Sequence, residues 1–333
     1  MTSDVFLLAD IGGTNARLAL CGTGTDTPVL ATHIYQVREN PTLIGTLKHF
    51  LEHHCEGKKI VRAAIAVACP VIGDIVQLTN SDWVCDRSAI VKLLGTPDVI
   101  VINDFEAVAY ALNTLAPTDV TIMQQGMKSP HHPMLVMGPG TGLGVAALIP
   151  YEGGFKAVPT EAGNTRYAPA NANESEMVKI VGRELLFVSS ESLSSGPGLA
   201  NIYRALCMMA DRIDKVSARI EPAEVVARAR AGDSLAKQTL QEFAAIFGSF
   251  ASQMALSYNA LGGVFLAGGV LQKIGQDFDD ARFLNRFTTN PKMAGLLNRI
   301  TVTRVNARIP AFNGLRWLLK QRHESKKARG GKK

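Results

Sequence analysis

Two stretches of this chain share one construction, and that construction limits the fold more than any other feature. Val5-Phe-Leu-Leu-Ala-Asp10 runs into Ile11-Gly-Gly-Thr-Asn15 and out through Ala16-Arg-Leu-Ala-Leu20. About 130 residues later, Met134-Leu-Val-Met137 runs into Gly138-Pro-Gly-Thr-Gly-Leu-Gly144 and out through Val145-Ala-Ala-Leu-Ile149. Each reads as strand, tight glycine turn, strand, which suggests a duplicated architecture with a phosphate-sized turn in each half. At 333 residues the chain exceeds what one hydrophobic core usually fills, so two lobes are expected.

The remaining periodicity supports an α/β protein. Further strands are expected at 29–35, 63–68, 75–78 and 99–102, with a helix face formed by Leu43, Leu47, Phe50 and Leu51 and another by Val108, Ala111, Leu112 and Leu115. Residues 127–133, with two prolines, read as a surface loop. Beyond them the pattern is mostly helical, at 173–187, 198–209, 222–231 and 234–259. A strand at 264–267 enters Gly268-Gly269, and a strand at 300–305 and a helix at 312–321 close the chain. That last helix is expected to pack on the N-terminal lobe.

Composition removes several function classes. Apolar residues make up 47% and charged residues 19%, which excludes a disordered, collagenous or coiled-coil chain. Of 35 Lys and Arg and 29 Asp and Glu, seven and one fall at 320–333, so residues 1–319 hold 28 of each sign. The net charge of +6 therefore belongs to the tail, and the balanced body offers no basic face to nucleic acid. The tail itself reads as a solvated, frayed end. Five cysteines, without a CxxC pair or a His-flanked spacing, read as reduced thiols and not a zinc site. No signal peptide or membrane-length apolar run is visible, so a cytoplasmic protein without a membrane partner is expected.

In Asp10-Ile11-Gly12-Gly13-Thr14-Asn15, the glycines allow positive φ and close main-chain approach to a ligand, and Thr14 offers a hydroxyl to a phosphate oxygen. Asp10, at the end of a strand, can hold magnesium through water. An ordinary hairpin with a Gly-Gly turn reads the same way. No Gly-Lys-Ser/Thr follows, and the turn leads to a strand, so neither a P-loop nor a dinucleotide fingerprint is present. Gly140, Thr141 and Gly142 lie in a turn with few side chains to pack, suited to nucleotide phosphates. Gly268-Gly269 suits a further nucleotide contact, or merely close helix–strand packing.

Asn103-Asp104 stands where a buried strand ends, a place where such sheets present reactive groups. Asp104 could accept the proton of an alcohol attacking phosphorus, with Asn103 fixing that alcohol, or it could simply cap a helix. Glu161 and Glu191 could each accept hydrogen bonds from sugar hydroxyls, or be merely solvated.

Together these motifs resemble the bacterial-type glucokinases of the actin-like sugar kinase superfamily. The resemblance runs over LADIGGTNARLAL, IAVACPVIGD, LTNSDW, INDFEAVAYAL, GPGTGLGVAAL, TEAGN, ESLSSGPGLANIYRAL and FLAGGV, essentially the whole chain. It implies a two-lobed actin-like (ribonuclease H-like) α/β fold with a central cleft. The small lobe would be 1–112 plus about 308–322, the large lobe 113–307, and 323–333 a disordered basic tail. It implies transfer of the γ-phosphate of ATP, with Mg²⁺, to the 6-hydroxyl of glucose, and a homodimer.

By the same resemblance Asp104 is the catalytic base, and Asn80, Asn103, Glu161 and Glu191 belong to the sugar site. Asp10 to Asn15, Gly140 to Gly142 and Gly268-Gly269 fall on the nucleotide side. One departure stands out: the family usually reads Glu-Gly-Gly-His where this chain reads Glu161-Ala-Gly-Asn164. Asn is shorter than His and cannot become cationic, and a lost polar contact to a sugar costs about 1–3 kcal/mol. The choice of hexose is thereby opened, leaving as alternatives a kinase for another hexose or an amino sugar and a non-catalytic sugar-binding regulator.

Overall fold

The computed structural model describes residues 3–24, 29–79, 81–212 and 220–330. The chain divides into two compact units, one comprising Met1–Leu115 with Ala307–Lys333 and the other Ala116–Asn306.

The first unit is built on a five-stranded sheet in the order β3-β2-β1-β4-β7. Its elements are β1 (Ser3–Ile11), β2 (Asn15–Gly22), β3 (Val29–Gln36), α1 (Leu43–His54), β4 (Lys58–Val67), β5 (Ile75–Gln77), β6 (Val84–Asp86), α2 (Arg87–Leu94), β7 (Val99–Asn103) and α3 (Asp104–Ala111). Strands β1 to β3 are antiparallel neighbours, whereas β4 pairs parallel with β1 and β7 parallel with β4. Val5 through Ala9 are all buried, as a strand covered on both faces requires. Phe50, Leu47 and Leu43 place α1 on this sheet, and the Thr42 side chain caps it.

The second unit repeats that plan with additions. Its elements are β8 (Val120–Gln124), β9 (Met134–Pro139), β10 (Leu143–Tyr151), β11 (Gly154–Thr160), α4 (Ala172–Val181), α5 (Gly196–Met209), α6 (Pro222–Arg230), α7 (Ser234–Ser257), β12 (Gly263–Leu266), α8 (Gly269–Ile274), α9 (Asp280–Thr288), α10 (Ala294–Leu297) and β13 (Val302–Val305). The sheet order is β11-β10-β9-β12-β13-β8. Here too three antiparallel strands are followed by a parallel one, β12 against β9. Phe243, Phe247 and Phe250 on α7, with Phe283 and Phe287 on α9, fill the core beneath.

Helix α11 (Pro310–Gly330) returns to the first unit and packs on α3. A side chain at Gly314 would stand 1.7 Å from the Ala107 carbonyl oxygen, so glycine there lets the two helix backbones meet. Trp317 stacks on Tyr110 with ring centroids 5.4 Å apart.

Several element limits differ from the sequence reading. The helix expected over 173–187 ends at Val181, where Gly182 stands at its C-cap. Strands β6, β8 and β11 and helices α2 and α9 were not expected. The tail expected to fray from residue 323 continues α11 as far as Gly330, a span rich in good helix formers. Among the described residues no helix is long and apolar enough to cross a membrane.

Candidate active site

In the first unit the β1–β2 register sets Asp10 directly opposite Arg17. Their side chains pair at 3.0 Å, with the Asp10 carboxylate largely covered. Burial pushes its pKa up, and the Arg17 guanidinium opposes that shift without cancelling it. The intervening turn is closed by the Gly12 N–H donating to the Asn15 carbonyl at 2.9 Å, and Asn15 accepts from the Gln36 amide at 2.8 Å. Thr14 is exposed. Gly12 and Gly13 do not use the positive φ open to glycine. A Cβ at Gly12 would meet the Asn15 oxygen only at an ordinary 3.4 Å.

At the end of β7 the capping question resolves residue by residue. The helix cap is Asn103, not Asp104: the Asn103 Oδ1 accepts from the backbone of Phe105 at 2.9 Å and of Glu106 at 3.2 Å. Its Nδ2 donates to the Cys69 carbonyl at 3.3 Å. Asn103 is nearly buried, and these bonds leave it one N–H for a ligand. Asp104 is the first residue of α3, half-buried, with its Oδ1 accepting from the Phe105 N–H at 2.9 Å. Asn80, expected near the sugar, lies outside the described residues.

In the second unit the glycines divide by what surrounds them. A Cβ at Gly138 would stand 2.2 Å from the Ala267 oxygen, and one at Gly268, where φ is +104°, would stand 2.5 Å from the Pro139 oxygen. Those two glycines let two backbones pack. Gly269, by contrast, faces open space, and the nearest atom to a Cβ at Gly140 would be 4.0 Å away. Thr141 is exposed. The first N–H of α5, at Gly196, donates to the Gly140 carbonyl at 2.8 Å, so the positive end of that helix abuts the turn.

The three polar residues assigned to the sugar are brought together within this unit. The turn after β11 folds Asn164 onto Glu161, Nδ2 to Oε2 at 3.2 Å. The Glu191 N–H donates to the Gly163 carbonyl at 2.8 Å, which ties the two segments. The Glu191 carboxylate also accepts from the Leu143 N–H at 2.7 Å.

Beneath these segments lies a residue not singled out from the sequence. Glu174 is fully buried and accepts from the Tyr167 hydroxyl at 2.6 Å, the Ala170 N–H at 2.7 Å, Asn171 at 2.9 Å and Arg286 at 2.6 Å. Burial alone would raise its pKa, but these donors, Arg286 foremost, outweigh burial and hold it below the usual carboxylate range. The spacing Asn171-x-x-Glu174 is a helix-start signature that could have revealed it.

Two α/β units with matching antiparallel-then-parallel sheets, each carrying a strand–glycine turn–strand unit, have the architecture of the actin-like fold. The family model described as Glucokinase matches residues 7–322. The chain belongs to the glucokinase family. It is 36% identical over 313 residues to a glucokinase of Chromobacterium violaceum, covering 93% of this chain and 87% of that one. A bifunctional protein glk of Burkholderia pseudomallei (strain 1710b) is 37% identical over 314 residues, 94% of this chain. The chain spans about half the length, 48%, of that relative. The crystal structure of a glucokinase from an Antarctic psychrotroph is similar at a TM-score of 0.83 and 30% identity, covering 96% of this chain and 99% of that one.

Proposed function

We propose that the protein is an ATP-dependent glucokinase, which moves the γ-phosphate of ATP to the 6-hydroxyl of glucose and yields glucose 6-phosphate and ADP. The observation that carries this reading is the grouping in the second unit of Glu161, Asn164 and Glu191 beside a glycine turn whose Gly140 and Thr141 stand open. Carboxylates and a carboxamide suit sugar hydroxyls, and bare main chain suits phosphates.

The roles then follow from chemistry. Asp104 accepts the proton of the 6-hydroxyl while the hydroxyl oxygen bonds to the γ-phosphorus and the bond from that phosphorus to the ADP oxygen breaks. Asn103 offers its remaining N–H to the sugar, and Asn80 belongs to the sugar side by resemblance. Asp10 through Asn15, Gly140 to Gly142 and Gly269 serve the nucleotide. Gly268 serves it indirectly, by letting the strand end approach Pro139. Asp10 fits magnesium carried in on the phosphates, because such an ion keeps most of its water and needs only one or two carboxylates. Arg17 holds one oxygen of that carboxylate in place. Magnesium would supply charge neutralisation on the phosphates.

A cytoplasmic location, a place in glycolysis and a homodimeric state complete the proposal. None of the five cysteines forms a disulfide, which supports a reducing compartment. Burial pushes the Cys21 thiol up to about 11 and the Cys85 thiol up to about 12, as for inert structural cysteines.

The Asn164–Glu161 hydrogen bond favours one second reading, a kinase of the same class for another hexose or an amino sugar, because Asn164 shapes the sugar side directly. A panel of sugars assayed by coupled ADP release decides between them. Glucose is expected to be preferred, with Asn164→His shifting its KM by about tenfold and kcat little. Preference for another sugar by more than about tenfold would select the second reading. Absence of any sugar-dependent turnover would reject both in favour of a sugar-binding regulator.

A further inference from the structure

The glycine turn does more than leave room for phosphates. We propose that it also positions the sugar ligand: the Leu143 N–H and the bare α-carbon of Gly142 together fix the carboxylate of Glu191, so that sugar and nucleotide occupancy are coupled through this one side chain. The inference rests on the sugar-kinase reading above and adds a link between its two halves.

The geometry is local to the second unit. Glu191 stands 48 positions from Leu143 in sequence, yet its Oε2 accepts the Leu143 N–H at 2.7 Å. A Cβ at Gly142 would lie 2.5 Å from that same oxygen and 3.2 Å from the carboxyl carbon. Gly142 is not among the residues with positive φ, so its backbone does not demand glycine. What demands it is the carboxylate. The backbone seals the arrangement, with the Glu191 N–H on the Gly163 carbonyl at 2.8 Å and the Gly140 N–H on the Gly142 carbonyl at 2.8 Å. A Cβ at Gly163 would in turn stand 2.2 Å from the Leu143 oxygen. The turn, the Glu161–Asn164 segment and the Glu191 segment therefore touch without intervening side chains.

A carboxylate has room for about four hydrogen bonds. One is made by the turn, and that bond aims the rest of the group toward sugar hydroxyls. A phosphate settling on the turn draws on the same N–H and lies near the same negative charge. Each ligand thus changes the environment of the other, and by linkage the effect is reciprocal.

Gly142→Ala tests this, because the atom that must yield is the end of a flexible side chain, and the fold is retained. Glucose affinity is measured calorimetrically without nucleotide in the wild type, Gly142→Ala, Glu191→Gln and the double variant. Gly142→Ala is expected to weaken nucleotide-free glucose binding by about tenfold or more, and the double variant to bind no more weakly than Glu191→Gln. Unchanged nucleotide-free binding in Gly142→Ala, or fully additive losses in the double variant, would overturn the proposal. Should Gly142→Ala fail to fold, the factor by which ADP changes glucose affinity decides. It must differ from one in the wild type and approach one in Glu191→Gln, and equal factors in the two would overturn the link. A wild type that binds no glucose at all would instead overturn the reading on which the link rests.

Discussion

The two strand–turn–strand units look alike in sequence and behave differently in space. In the first, the carboxylate beside the turn sits on the hairpin itself, Asp10, and is held by Arg17 from the facing strand. In the second, the carboxylate arrives from elsewhere, Glu191, and is held by the main chain of the turn. Their glycines differ accordingly. Around Gly12 there is ordinary room, whereas Gly138 and Gly142 stand where any side chain would meet a carbonyl or a carboxylate. A glycine-rich turn is thus not one device. The first keeps its shape through a neighbour across the ladder; the second keeps it through contacts reaching across the whole unit.

Breaking the distant supports should cost more than disturbing the near one. The largest effect is expected at Glu174, which holds Tyr167 and Ala170 and so the segment between Asn164 and α4. Glu174→Ala strands the charge of Arg286 and should remove about 3–5 kcal/mol of stability, read by urea unfolding. The pH sign follows from its lowered pKa. The contribution is fully present above the ordinary carboxylate pKa and is lost as pH falls through the lower folded value. The wild type should therefore lose more stability on acidification than Glu174→Gln. Parallel acid profiles would remove Glu174 from the account.

A smaller effect compares the turns themselves. Gly138→Ala forces a methyl group onto the Ala267 carbonyl at 2.2 Å and should cost about 1–3 kcal/mol. Gly12→Ala meets only an ordinary contact and should stay within about 0.5 kcal/mol of the wild type. Equal losses in the two variants would erase the distinction drawn between the turns.

This difference also explains what could be read in advance. The Asp10–Arg17 pair was legible, since a four-residue turn at 12–15 sets Ile11 against Ala16 and hence Asp10 against Arg17. The family motifs located Asp104, but whether Asp104 or Asn103 caps α3 depends on side-chain direction, which adjacent capping residues leave undecided. The tie of Glu191 to Leu143 was not legible, because nothing local at either end marks a contact 48 positions long. Strand β11 was missed for a different reason: Lys156 and Pro159 interrupt its apolar pattern, and Pro is tolerated there because the strand lies at the sheet edge. The helix expected over 173–187 overran its end, taking in apolar Leu185, Leu186 and Phe187. All three are exposed, and Gly182 was the stop signal.

Because Asn103 caps α3, Asp104→Ala should fold, and glucose should still bind it. Sugar-dependent ADP release, measured by a coupled assay beside calorimetric glucose binding, should fall by about a hundredfold to ten-thousandfold with affinity nearly unchanged. Turnover close to that of the wild type would contradict the assignment of Asp104 as the base.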